Sequence, residues 1–310
     1  MDKKIKAQNQ SDYSQLFSKE LINCFIKKHR LPKNFSNLIS QYYIPLVVWL
    51  RKKINSSSPY IFGINGPIGT GKSTLADFIK SSMAPDLVGD VIVLSIDDFY
   101  FTKKERLLLS KTTHPLLITR GVPGTHDINL LLNCVDQLKN LKLGEKVLLP
   151  QFNKVQDDRE PRVKWQQAIG PIDLIIIEGW CVASEPIQSN LLIEPINHLE
   201  KSMDTDGKWR NYVNWHLTNN YQNLSNLINS LLFLNPPNME ILKIWRAKQE
   251  SKLMNENKQN KTNLMHEKHL TFFMQHFERW TKENLLTMPN KADIIFNLNE
   301  KHYCFEALYK

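Results

Sequence analysis

The sequence predicts an α/β fold, with a mainly parallel sheet covered by helices on both faces. Three observations carry that reading: a glycine-rich turn that follows a short apolar run and opens a helix, further apolar runs of strand length, and helical patterns between them. Residues 61–78 read IFGINGPIGTGKSTLADF, and within them Gly66, Pro67, Ile68, Gly69, Thr70, Gly71, Lys72 and Ser73 keep the spacing G-x-x-x-x-G-K-[ST] of a phosphate-binding loop. Each part of that spacing answers a need of a triphosphate. The glycines let backbone N–H groups turn inward, Lys72 reaches the β- and γ-phosphates, and the Ser73 hydroxyl can ligate Mg²⁺. The helix that begins near Lys72, with its Leu75, Phe78 and Ile79 face, adds its positive end beneath the anion.

The remaining elements follow in chain order. Residues 13–53 form a helical extension, with apolar positions at Leu16, Phe17, Leu21, Ile22 and Phe25, a break at Pro32, and a second run through Leu38, Ile39, Tyr43, Val47 and Leu50. The stretch Asn55 to Pro59 is a joint, so a helical extension at 1–58 and a nucleotide-binding domain at 59–310 are expected. VIVLSID (91–97) and DLIIIEGW (173–180) read as strands buried on both faces, with SLLFL (230–234) and DIIFNL (293–298) completing the sheet. Ile128 to Leu141 is a helix. Between the last two strands lie helices around Met239–Leu253 and Leu264–Lys282 joined by NENKQNKTN, which reads as a lid over a phosphate site or as a surface hairpin. Lys243, Arg246, Lys248 and Lys252 on its first helix favour the lid.

Ligands of such a sheet collect at the carboxyl ends of its strands, and acids stand there. Asp97 and Asp98, in SIDDFY, can accept a proton from an attacking hydroxyl, hold Mg²⁺ and its waters, or cap the next turn. Glu178, after four apolar residues, needs a partner such as a hydrated Mg²⁺ or a lid cation. The loop Arg120 to Asp127 is a turn with Thr125 or Asp127 as a helix cap, or a substrate loop in which Arg120 meets an anion and His126 or Asp127 meets hydroxyls. Lys154 and Arg159, in LPQFNKVQDDREPR, belong to a second such loop or to a solvated one. Asn290-Lys291-Ala292-Asp293 matches the guanine-reading tetrapeptide, but its apolar run follows it instead of preceding it, so it is a chance match.

Charge and cysteine exclude other classes. Of the net charge of +9, residues 1–60 hold +8, with 11 lysines and arginines against three acids, so the rest of the chain is nearly neutral. No aromatic residue is interleaved with Lys27, Lys28, Arg30 or with Arg51 to Lys53, so the basic segment reads as a solvated helix face and no nucleic-acid partner is expected. Cys24, Cys134, Cys181 and Cys304 lie far apart, which predicts buried free thiols in a cytoplasmic protein. The first residues carry acids and no apolar core, so neither a signal nor a transit peptide is expected, and no run spans a bilayer.

Taken in order, GPIGTGKST, SIDDFY, RGVPGTHD, LPQFNKVQDDR, LIIIEGW and WRAKQE resemble the plant-type D-glycerate 3-kinases and related microbial kinase-like proteins, within the phosphoribulokinase, uridine kinase and pantothenate kinase group. The resemblance covers about residues 45–305 and implies a P-loop NTPase three-layer sandwich. It implies that Lys72, Ser73 and Thr74 bind ATP and Mg²⁺, that Asp97 is the hydroxyl-activating aspartate, Glu178 the second acid and Arg246 the lid arginine. Ile68 stands where many relatives are polar, and Asn153 where F-D-K is usual. The expected activity is transfer of the γ-phosphoryl of ATP to D-glycerate. Other hydroxylated acceptors, or an ATP-binding regulatory protein that uses its basic first 60 residues, are the alternatives.

Overall fold

The computed structural model describes residues 17–54, 58–83, 87–256 and 267–310. Its strands are β1 (Tyr60–Asn65), β2 (Asp90–Ser95), β3 (Lys146–Leu149), β4 (Phe152–Asn153), β5 (Asp158–Arg159), β6 (Gln166–Ile169), β7 (Ile172–Gly179), β8 (Ser230–Asn235), β9 (Ile294–Leu298) and β10 (Cys304–Tyr309). The α-helices are α1 (Lys19–Lys28), α2 (Phe35–Leu38), α3 (Ile44–Arg51), α4 (Lys72–Met83), α5 (Lys103–Thr112), α6 (Ile128–Lys139), α7 (His198–Met203), α8 (Lys208–Thr218), α9 (Asn220–Ser225), α10 (Met239–Glu256) and α11 (Glu267–Lys291).

Six strands form one sheet in the order β10-β9-β8-β1-β7-β2. All neighbours pair in parallel except β10, which returns antiparallel to β9 on the edge. The apolar run of β7 shows why the sheet must be covered twice. Its Leu174 and Ile176 enter the core on one face, while Ile175 and Ile177 enter the core on the other. On the first face, α4 contributes Leu75, Phe78 and Ile79, and the N-terminal helices pack directly onto it: Phe78 meets the rings of Phe17, Phe25 and Tyr43. The basic extension is tied down as well, with Lys28 and His29 both on Asp77 at 2.7 Å and Arg51 donating to the Ser82 carbonyl. The second face is covered by α6, α8 and α11, through residues such as Leu131, Trp209 and Trp280.

Several boundaries differ from the sequence reading, for local reasons. Strand β2 stops at Ser95, and Ile96–Phe99 forms a single 3₁₀ turn. Ile96 and Phe99 are buried there, and the turn lifts Asp97 and Asp98 out of the apolar sheet. Helix α11 runs on to Lys291, through Pro289, because Met288 and Ala292 continue its buried face. The hairpin read as a lid has its roots in the core: Met239, Leu242 and Trp245 of α10 and Leu270, Met274, Phe277 and Trp280 of α11 are buried. Trp245 also donates to the Glu300 carbonyl at 3.0 Å and stacks on His302. Leu16, Asn55 to Ser57 and most of NENKQNKTN lie outside the described residues, and the side chain of Lys252 does too. All four cysteines are free, and Cys24 is exposed, not buried as expected, because it lies on the outer side of α1. Among the described residues no helix is long and apolar enough to cross a membrane.

Candidate active site

The phosphate loop leaves β1 at the point where the chain order of the sheet reverses, with β7 on one side and β8 on the other. Gly66 has no alternative: a Cβ there would lie 2.7 Å from Thr70 Oγ1 and 2.9 Å from Leu234 Cβ. The loop is held open from inside, with the Thr70 hydroxyl and Lys72 Nζ both donating to the Pro67 carbonyl, at 2.8 and 3.2 Å. Gly71, at φ +94°, takes the left-handed turn that starts α4, so the first amides of the helix face the loop. Ile68 is only half-buried and packs against the core, and Thr74 lies in the first turn of α4. Burial lowers the proton affinity of Lys72, while the nearby charges of Glu178 and Asp97 raise it.

Two acids stand beside this cradle. Glu178, the penultimate residue of β7, is buried, and its Oε1 accepts the Ser73 hydroxyl at 2.7 Å. Asp98 accepts the Phe152 amide at 3.1 Å, and burial pushes its carboxyl up to about 6. Ser73 and Glu178 meet directly, Asp98 lies near enough for the Glu178 charge to act on it, and oxygen donors are what a hard cation such as Mg²⁺ takes.

Asp97 is held differently. Its Oδ1 accepts the Tyr100 hydroxyl at 2.7 Å and its Oδ2 accepts Lys154 Nζ at 2.6 Å. Burial would raise its pKa, but the Lys154 charge and these two hydrogen bonds prevail and hold it at about 2.

The loop from Arg120 to Asp127 reaches Asp97 through backbone pairing. Phe101 N–H donates to the Thr125 carbonyl and Asp127 N–H to the Phe99 carbonyl, which sets His126 against the Tyr100 ring at 4.6 Å. His126 is buried. Its Nδ1 lies 2.6 Å from the Tyr221 hydroxyl, which also accepts the Gly124 amide. Nε2, on the other side of the ring, is buried with no partner among the described residues. Burial lowers the His126 pKa to about 4, so the ring is neutral at pH 7.

The β4–β5 hairpin carries Lys154 over the site. Asn153 shapes its turn, with Oδ1 accepting the amides of Val155 and Gln156 at 3.0 and 2.9 Å and Nδ2 donating to Glu160 at 2.7 Å. The asparagine is thus consumed by the hairpin and does not face a substrate. Asp157 receives both Arg106 and Arg120, and the Arg120 guanidinium lies over the Phe152 ring at 5.4 Å. Arg159 donates to the Tyr100 carbonyl at 2.8 Å and faces Asp127 at 3.6 Å, while Asp127 also caps α6 through the Leu130 amide.

The structure therefore brings Lys72, Ser73, Asp97, Asp98, Glu178, His126 and Lys154 together, and gives Arg120 and Arg159 carboxylates of the protein's own. Arg246 lies on α10, partly buried, next to the Trp245 anchor. Sequence reasoning missed Tyr100, although it ends the SIDDFY segment, and it missed Tyr221, which lies 95 residues from His126 with no motif around it. A cleft of about 390 Å³ lies past the ends of β8 and β9, lined by Asn235, Pro236, Pro237, Leu298, Asn299 and Phe305. Its lining starts at Asn235, next in the chain to Leu234, whose side chain a Cβ on Gly66 would meet.

A parallel sheet with a phosphate cradle at its switch point and acids on the neighbouring strand ends defines a P-loop nucleotide-binding protein of kinase type. Comparison with known proteins gives the family: residues 61–191 match the Phosphoribulokinase / Uridine kinase family, and the chain belongs to it. The uncharacterized kinase mug58 of Schizosaccharomyces pombe is 32% identical over 208 residues, which is 63% of this chain and 71% of that protein. The chloroplastic D-glycerate 3-kinase of Arabidopsis thaliana is 30% identical over 196 residues, 56% of this chain, and the match spans only 42% of the plant protein. The solved D-glycerate 3-kinase of Cryptococcus neoformans var. grubii shares the fold, with a TM-score of 0.68 over 86% of this chain and 96% of that one at 20% identity.

Proposed function

We propose that the chain is an ATP-dependent phosphotransferase that moves the γ-phosphoryl of ATP to a hydroxyl of a small acceptor, and that the acceptor is D-glycerate, giving 3-phosphoglycerate. One observation carries the reading: an ionised, hydrogen-bonded carboxylate, Asp97, is placed beside the Lys72 cradle. In the reaction, the acceptor oxygen bonds to the γ-phosphorus, the bond from that phosphorus to the β-phosphate oxygen breaks, and the hydroxyl proton passes to Asp97. Gly66 to Thr74 hold the triphosphate, and the cleft past the ends of β8 and β9 takes the base against Pro236, Pro237 and Phe305. Bound Mg²⁺ would neutralise phosphate charge, and Ser73, Asp98 and Glu178 are the residues that would hold it or its waters. Lys72 and, from the lid, Arg246 offset the negative charge of the transferring group. His126, whose Nε2 has no partner among the described residues, meets an acceptor oxygen with that nitrogen. Glycerate is supported by the Arabidopsis relative, and the free cysteines fit the reducing cytoplasm.

The test is ADP release by purified protein with ATP, Mg²⁺ and a panel of acceptors: glycerate, pantothenate, uridine and ribulose 5-phosphate. Release that depends on glycerate supports the reading. Release that ignores every acceptor contradicts it.

A further inference from the structure

Both oxygens of Asp97 are engaged, and they are engaged by partners of opposite character. Tyr100 is fixed: it is buried, with its ring against His126 at 4.6 Å and edge-on to Phe152 at 5.1 Å. Lys154 is free to move, because its side chain is 58% exposed at the tip of the β4–β5 hairpin. The hairpin itself is pinned by the Asn153 turn, by Asp98 on the Phe152 amide and by Arg106 and Arg120 on Asp157. A carboxylate that takes a proton from an acceptor hydroxyl must offer that hydroxyl an oxygen. On Asp97, Oδ2 is the oxygen whose partner is exposed, and drawing Lys154 off it with another anion opens that oxygen fully to a hydroxyl.

The neighbourhood limits where that anion can come from. Asp157 is taken by two arginines and Asp127 by Arg159. Glu178, which accepts the Ser73 hydroxyl, and Asp98, which accepts the Phe152 amide, attract the Lys154 charge as well but less than Asp97 does. Lys72 is close enough for its charge and that of Lys154 to oppose each other, so an ammonium released from Asp97 would stand near another cation.

We infer that Lys154 is a lock on Asp97 which an anionic group of the acceptor opens. The acceptor's carboxylate or phosphate ester takes up the ammonium, Oδ2 is uncovered, and the acceptor hydroxyl that arrives with the anion donates to it. The step that follows is the transfer already described, with the hydroxyl proton ending on Oδ2. A neutral polyol offers Lys154 nothing and finds the oxygen covered. Discrimination in favour of anionic acceptors therefore lies in kcat as well as in KM. The inference rests on the phosphotransferase reading and names its acceptor class: a small hydroxylated anion.

Steady-state kinetics on wild type and Lys154→Met with D-glycerate, glycerol 3-phosphate and glycerol test it, together with calorimetric titration of glycerate into each protein. Wild type is expected to turn over an anionic acceptor about a hundredfold faster than glycerol, and added acetate should stimulate glycerol turnover. Whether glycerate or glycerol 3-phosphate is preferred tells which anion the lock reads. In Lys154→Met, glycerate binding should weaken about tenfold, glycerol kcat should rise about tenfold, and acetate should do nothing, with the KM for ATP unchanged. Lys154→Arg should keep the preference for anions. An unchanged kcat ratio between glycerate and glycerol in Lys154→Met would overturn the lock, as would equal losses with both acceptors or a raised KM for ATP. If wild type transfers phosphate to none of these acceptors, the phosphotransferase reading itself fails and takes the lock with it.

Discussion

The two halves of the site are built by different means. On the proposed reading, the donor half, the part that holds the triphosphate, is mostly backbone: a glycine turn, the first amides of α4, and few side chains, within Gly66 to Thr74. The acceptor half is side chains drawn from four separated segments, around Asp97, His126, Lys154 and Tyr221, and each is held by a partner from another segment. Backbone recognition is insensitive to what is transferred and to whom. Side-chain recognition can be retuned one residue at a time, so the donor half defines the family and the acceptor half defines the substrate.

The comparison can be broken by mutation. Lys72→Ala is expected to lower kcat/KM about a hundredfold, or about 3 kcal/mol, since on the proposed mechanism its ammonium offsets charge on the transferred group. The fold should be kept, which circular dichroism and the melting temperature check. A loss confined to the acceptor KM would mean that the halves are not separate.

Acid should find the acceptor half first. Burial lowers the pKa values of His126, His216 and His276 to about 4 each, and two of them flank Gly124 and Tyr100. The unfolded chain takes up these protons near the ordinary histidine value, so their stabilising contribution is complete above pH 6.5 and is lost as pH falls through 4. Asp98, raised by burial to about 6, has the opposite sign: its contribution is complete below the ordinary aspartate value of 3.8 and is lost as pH rises through 6. At pH 5 these four groups leave the unfolded chain with about two more bound protons, so stability should fall by roughly 2 to 3 kcal/mol per pH unit there. Urea unfolding at pH 7, 6 and 5 measures it, and a flat midpoint would contradict the buried neutral histidines.

Smaller effects separate the residues within the acceptor half. Arg120→Met should raise the acceptor KM by about tenfold with ATP affinity unchanged, a modest loss because Asp157 already shares the guanidinium. Tyr221→Phe removes the hydroxyl that holds His126 Nδ1. It should cost about 1 kcal/mol of stability and raise the acceptor KM a few-fold, with the donor side untouched. A change in the KM for ATP in either variant would blur the division between the halves.

That division also marks what the sequence makes legible. Gly66 to Ser73 could be read directly because a phosphate loop is continuous and its spacing is fixed by backbone geometry. The parallel strands could be read because a strand buried on both faces is a continuous apolar run, as in LIIIEGW. Strand β10 could not, since CFEALY is an edge strand with one buried residue. The end of β2 was misplaced because apolar periodicity does not show where a strand turns into a 3₁₀ step. Arg120 and Arg159 read as free cations because their carboxylates, Asp157 and Asp127, are contacts of the fold, and no local spacing announces them. Lys154 was visible as a charge, but its partner Asp97 lies 57 residues away.

The central claim is that Asp97 takes the proton of an acceptor hydroxyl, and transfer of label from γ-³²P-ATP to D-glycerate by wild type and by Asp97→Asn tests it most directly. The account predicts labelled phosphoglycerate from wild type, and at least about a hundredfold less from Asp97→Asn at saturating ATP, with ATP binding at wild-type affinity. Asp98→Asn should lose less. Equal turnover by Asp97→Asn, or a loss that appears only as weaker ATP binding, would contradict it.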